Sequence, residues 1–183
     1  AAPTRAGIEE YDTYQVRVRA LVDRINRRFA LAPHPPIILL SEHHEALGVY
    51  EYYRAAELCF VSSLHDGMNL VAKEFVAARD DERGVLVLSQ FTGAARELAE
   101  AIIVNPYDAD ECAAALQAAL EMPEREQRAR MRLMRSLIGE FNVFRWAGRM
   151  LIDAAGMRRR SRLLDRLMTG NTSGGSQPPL EGP

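Results

Sequence analysis

What this sequence has little of narrows it first. Among 183 residues there are two cysteines, Cys59 and Cys112. Both fall inside predicted regular elements and read as small buried hydrophobes in a reducing compartment, not as a disulfide or a metal site. No apolar run approaches the roughly 20 residues that span a bilayer, and residues 1–5 carry no signal-peptide pattern, so the expected setting is the cytoplasm. Neither sign of charge dominates: 23 Lys and Arg face 25 Asp and Glu, a formal charge of −2. No overall basic field recommends nucleic acid as a partner. His43 and His44 have no Cys or carboxylate spacing around them that suits a metal, and Asp80, Asp81 and Glu82 read as a solvated loop. No internal repeat is present, and the length suits one domain with a core of its own, not two large ones.

What is present is an alternation of apolar runs and amphipathic stretches. Tyr11, Tyr14, Val18, Leu21, Ile25 and Phe29 recur at three- or four-residue steps and predict a core-packed helix over 8–29. Apolar runs at 35–40, 58–61, 84–89 and 101–104 predict strands. Helices are expected at 45–56, 70–79, 109–122, 124–140 and 141–154, with a short one ending near 100 and a basic one at 157–168. Met131, Met134 and Ile138 read as packing. The rhythm predicts an α/β fold of right-handed βαβ units with a parallel sheet, whose sites belong at the carboxyl ends of the strands. Residues 170–183, rich in Gly, Ser and Pro, read as a disordered tail behind a basic helical extension at 155–169.

The rest of the chain is organised around residues 57–79. A short apolar strand passes through an Asp66-Gly67 turn into a helix that Asn69 caps. The amides of Asn69, Leu70 and Val71 would converge on one spot, where the helix dipole adds about half a positive charge, and a phosphate fits there. Asp66 precedes the helix and Glu74 lies one turn inside it, so one carboxylate is placed for a sugar and the other for a ribose. Spacing alone leaves equally open an ordinary capped helix with Glu74 solvated or paired. Gly67 serves either an unusual backbone conformation or close ligand approach. Lys73, about 100° around the helix from Glu74, is expected to shape the helix and not to touch the phosphate.

Asp66-Gly67-Met68-Asn69-Leu70-Val71-Ala72-Lys73-Glu74 closely resembles the nucleotide-sugar motif of the retaining glycosyltransferases that make trehalose 6-phosphate, glycosyltransferase family 20. Gly84-Val85-Leu86-Val87-Leu88-Ser89-Gln90-Phe91-Thr92-Gly93-Ala94-Ala95 and Ile103-Val104-Asn105-Pro106-Tyr107-Asp108 match that family in order and spacing. The resemblance covers residues 1–154. It implies the C-terminal, donor-holding half of a GT-B enzyme: a doubly wound, Rossmann-like sheet that begins in mid-domain, since residues 2–5 resemble the loop after an early strand.

The implied reaction moves glucose from UDP-glucose, or another nucleotide diphosphate glucose, to glucose 6-phosphate with retention, without a metal or other cofactor. By the resemblance Asp66, the catalytic candidate, would hold the sugar. Gly67, Met68, Asn69, Leu70 and Val71 would cradle sugar and diphosphate, and Glu74 would bind the ribose. His44 stands where an aromatic residue meets uracil, and His65 where Arg is common. The cationic clamp for the diphosphate and the domain that binds the acceptor lie upstream of residue 1 in the family. The chain alone is therefore expected to be inactive, with Phe144 and Trp146 uncovered. The implied partners are the nucleotide-sugar donor and, through that upstream domain, a sugar-phosphate acceptor, with no nucleic acid or membrane; oligomerisation is left open. A sibling synthase with another acceptor, such as glycerol phosphate, and a non-catalytic nucleotide-sugar-binding or regulatory module are the alternatives.

Overall fold

A computed structural model of the chain describes residues 9–29 and 34–170, with side chains described over 13–29 and 34–160. The chain divides into two compact units, Ala1–Ala56 and Glu57–Pro183. The expectations for residues 2–5 and 171–183 lie outside the described residues.

In the first unit, helix α1 (Glu9–Phe29) follows the periodic stripe, but that stripe does not form a core. Val18, Val22 and Ile25 are half-buried, while Tyr14, Leu21 and Phe29 are exposed. An apolar stripe is buried only where an opposing layer covers it. The unit's other described parts are an extended segment and helix α2 (Ala46–Ala55), which has no buried residue. The strand expected over 35–40 is not formed. The Asn26 carboxamide instead donates to the Ile37 carbonyl and accepts from the Ile37 amide, each at 2.9 Å. A side chain thus supplies the pair of bonds that a neighbouring strand would have made.

The second unit is built on a parallel sheet of β1 (Leu58–Val61), β2 (Val85–Ser89) and β3 (Ile102–Val104), in that order. Every residue of β2 is buried, as befits a continuous apolar strand covered on both faces. β1 is covered less completely. It lies at the edge of this sheet, so only Val61 is fully buried and Phe60 is exposed. On one face, Val85, Val87 and Val104 pack against Ala115 and Ala119 of α4 (Ala109–Glu121). Strand alternation turns Leu86 and Leu88 to the other face. There α3 (Leu70–Ala78) buries Ala72, Phe75 and Val76, and α5 (Glu124–Glu140) packs behind it with Met131 and Met134.

The acidic turn between α3 and β2 is not merely solvated. Buried Arg79 donates to the Arg83 carbonyl at 2.9 Å and pairs with Asp81 at 3.1 Å, while Glu82 pairs with Arg132 at 2.6 Å. Where helices at 141–154 and 157–168 were expected, one continuous helix α6 (Val143–Gly170) forms. Asn142 starts it by accepting from the amides of Phe144 and Arg145 at 3.1 Å. The single Gly156 between the two expected pieces costs about 1 kcal/mol, too little to stop a helix. Phe144 and Trp146 are exposed. Among the described residues no helix is long and apolar enough to cross a membrane.

Candidate functional site

A parallel sheet delivers the carboxyl ends of all its strands to one edge, and here loops 62–69, 90–92 and 105–108 leave from that edge. The first two loops are joined through their backbones. The Asp66 amide donates to the Phe91 carbonyl at 3.1 Å, the Gly93 amide to the Asp66 carbonyl at 2.9 Å, and the Ala94 amide to the Met68 carbonyl at 2.7 Å. The third loop is tied in by a 2.9 Å bond from the Gln90 amide to the Val104 carbonyl and by the Phe91 ring, edge-on to Tyr107. Beneath them, the Thr92 hydroxyl donates to the Ser89 carbonyl at 2.9 Å, and both residues are buried.

Asp66 clasps its own turn. Its Oδ1 accepts from the amides of Met68 (3.1 Å) and Asn69 (3.0 Å), and its Oδ2 from the Asn69 carboxamide (3.0 Å). The Met68 amide first, and then the Asn69 side chain and amide, hold the Asp66 carboxyl below its ordinary value of 3.8, with His65 nearby adding to the effect. Asn69 caps α3 as expected, accepting from the Ala72 amide at 2.9 Å, and donates onward to Ser63 Oγ at 3.3 Å. Its backbone is left-handed, with φ 72°, a conformation asparagine adopts more readily than most residues. One expectation is corrected here. The Asn69 amide is already committed to Asp66, so the unbonded donors at the start of α3, among the described residues, are the amides of Leu70 and Val71.

Gly67 also departs from part of its expectation. The unusual φ belongs to Asn69, and a Cβ on Gly67 would meet nothing within 4 Å. The face above Gly67 is therefore open space. The crowded glycine is Gly93, where a Cβ would stand 2.1 Å from the Gly67 carbonyl oxygen. Gly93 lies in the second matched block, but residue types along the chain do not by themselves point to its role, nor to those of Ser63 and Glu97. A glycine four residues past a buried strand, on the edge where sites gather, was the available signal.

Glu74 is half-buried one turn into α3 and already interacts with the protein. Lys73 pairs with Glu97 at 2.7 Å, joining α3 to the short 3-10 turn Gly93–Arg96, in keeping with a shaping role. Beside the clasped turn lies a cleft of about 570 Å³ whose walls include Met68, Leu70, Lys73, Glu97, Trp146 and Arg149. Asp66 through Val71 are thus brought together on one edge. His44 belongs to the first unit, where its ring lies edge-on to Tyr52 with centroids 5.6 Å apart and its buried Nε2 lacks a hydrogen-bond partner. Among the described residues no group of three or more His, Cys, Asp or Glu is placed to hold a metal ion.

A parallel sheet with clasped loops at its carboxyl edge and a capped helix behind them is the Rossmann-like α/β architecture of the GT-B glycosyltransferases. The particular group follows from the sequence match: residues 1–155 fit the model of Glycosyltransferase family 20, and the chain belongs to that family. It is 43% identical over 162 residues to a trehalose-6-phosphate synthase of Klebsiella pneumoniae, covering 87% of this chain and 34% of that protein. An alpha,alpha-trehalose-phosphate synthase (UDP-forming) from Burkholderia xenovorans, solved in complex with glucose-6-phosphate, superposes with a TM-score of 0.81 at 44% identity over 84% of this chain and 34% of that one. An E. coli structure bound with UDP-2-fluoro glucose superposes at 0.80 with 39% identity, over 82% and 34%. The chain therefore spans about a third of the length of the relatives it matches.

Proposed function

We propose that this chain supplies the donor half of a retaining glucosyltransferase that moves glucose from UDP-glucose to glucose 6-phosphate, forming trehalose 6-phosphate. The observation that carries the reading is the Asp66-clasped turn at the head of α3, lying within the stretch that matches glycosyltransferase family 20. The relatives' bound glucose-6-phosphate and UDP-2-fluoro glucose support the acceptor and donor classes.

In this reading the amides of Leu70 and Val71, with the α3 dipole, face the diphosphate and stabilise the charge it gains as the sugar leaves. Asp66 holds the turn and presents its remaining lone pair, on Oδ2, to the sugar, Glu74 accepts from the ribose hydroxyls, and His44 borders the base. Retention follows a front-face course in which the departing diphosphate helps to take the acceptor proton. The diphosphate charge is met by amides and by cationic side chains outside this chain, without a metal. The setting is the cytoplasm, which suits two free thiols, one of them, Cys59, pushed up to about 11 by burial.

The test is calorimetric titration with UDP. Glu74→Gln is expected to lose about 1.5 to 3 kcal/mol of binding, the worth of a hydrogen bond to a charged group, whereas Lys73→Gln loses less. Equal UDP affinity in Glu74→Gln and the parent chain would remove the ribose assignment.

A further inference from the structure

We propose that Gly93 is a positioning residue for the donor turn: its lack of a side chain lets the loop after β2 seat directly on the backbone of Gly67 and Met68, and so sets where the α3 amides point. The consequence for binding rests on the donor reading above; the geometry rests on packing alone.

Two bonds enter on either side of the Gly67 carbonyl, from the Gly93 amide to the Asp66 carbonyl at 2.9 Å and from the Ala94 amide to the Met68 carbonyl at 2.7 Å. A Cβ at position 93 would lie 2.1 Å from the Gly67 oxygen, 2.9 Å from its carbonyl carbon and 3.2 Å from Met68 Cα. All three obstacles are backbone atoms, so no change of rotamer relieves them. Gly93 does not have a left-handed φ, which makes the requirement one of close approach and not of conformation.

The seat is less able to yield than the turn. Ser89, Thr92, Ala94 and Leu98 are buried, with Thr92 anchored to the Ser89 carbonyl. The turn has open space above Gly67, and Met68 is exposed. A methyl group at 93 therefore drives the turn outward. That motion stretches the bonds from the Met68 and Asn69 amides to Asp66, and it tilts the Leu70 and Val71 amides that follow.

Gly93→Ala in the 183-residue chain is compared with Met134→Ala, a core change away from the turn, by amide NMR spectra and UDP titration below the unfolding temperature of each. In Gly93→Ala the Met68 and Asn69 amide resonances are expected to move and UDP affinity to fall roughly tenfold or more; Met134→Ala leaves both in place. A folded Gly93→Ala with unmoved resonances overturns the proposal, as does an equal effect in Met134→Ala. Should Gly93→Ala fail to fold, Thr92→Val, which removes the hydroxyl bond to the Ser89 carbonyl and leaves the 3.2 Å bond from the Thr92 amide, loosens the seat at nearly constant volume and decides by the same two readings. A parent chain that binds no UDP defeats the donor reading instead, and the amide resonances still decide the positioning.

Discussion

Asp66 spends three hydrogen bonds on its own loop before any ligand arrives. Because those donors stabilise the charged form, the folded chain holds this carboxyl below 3.8. The unfolded chain then binds the proton more readily, so the clasp stabilises the fold above the ordinary value and its contribution is lost as pH falls through the lower folded one. The Met68 and Asn69 amide resonances are therefore expected to stay flat from neutral pH down to about 5 and to move only below the ordinary carboxylate range. A midpoint at or above that range would mean that Asp66 is not clasped. At Gly67 the prediction is complementary. A Cβ there meets no protein atom within 4 Å, so Gly67→Val is expected to unfold at the parent's temperature while blocking the face above the turn. Normal UDP titration of Gly67→Val would show that this face is not the phosphate cradle.

At the scale of elements, α3 is held from both ends and from behind. Asn69 caps its start, and Arg135 of α5 donates to the carbonyls of Val76 and Ala77 at its end, at 3.0 and 2.7 Å. Between them Met131 is fully buried. Met131→Ala is accordingly expected to cost about 2 to 5 kcal/mol in urea unfolding, the loss of a large buried side chain together with the cavity it leaves. A loss under about 1 kcal/mol would mean that the site collapses freely and that α5 is not a firm backing for α3. Arg132 also joins α5 to the turn before β2 through Glu82. That pair is exposed and adds little to stability, because water screens it.

For the molecule as a whole, the donor turn is one part of the proposed reaction, and placing two reactants together accounts for roughly 7 to 11 kcal/mol of an enzymatic barrier. In the proposed reading, the domain that binds the acceptor and the cationic clamp for the diphosphate are supplied from outside these 183 residues. The 183-residue chain is therefore expected to bind UDP weakly and to form no trehalose 6-phosphate from UDP-glucose and glucose 6-phosphate. The assay follows UDP release and disaccharide formation together. Turnover by pure chain at about 1 per second or faster would locate the acceptor site within it. Trp146 and Met150, one turn apart on α6 and both exposed, belong to the same scale, since exposed apolar side chains that share a helix face mark an interaction surface.

Local chemistry along the chain determined most of the second unit. The apolar run of β2, the Asn69 cap, and the spacing of Met131 and Met134 each depend on neighbours a few residues away, and local sequence patterns read such neighbours directly. The motif around Asp66 was legible for the same reason, because its turn, cap and helix start are contiguous. What only the tertiary structure decided are relations between distant segments. Asn26 took the backbone bonds of Ile37 and left no strand at 35–40. Among the described residues of the first unit no layer covers the stripe of α1, and β1 lies at the edge of the described sheet. Gly93 acquired its role only when the loop after β2 came down on the loop after β1. Contacts of that kind depend on which backbone atoms meet in space, and a linear pattern of residue types does not encode a distance of closest approach.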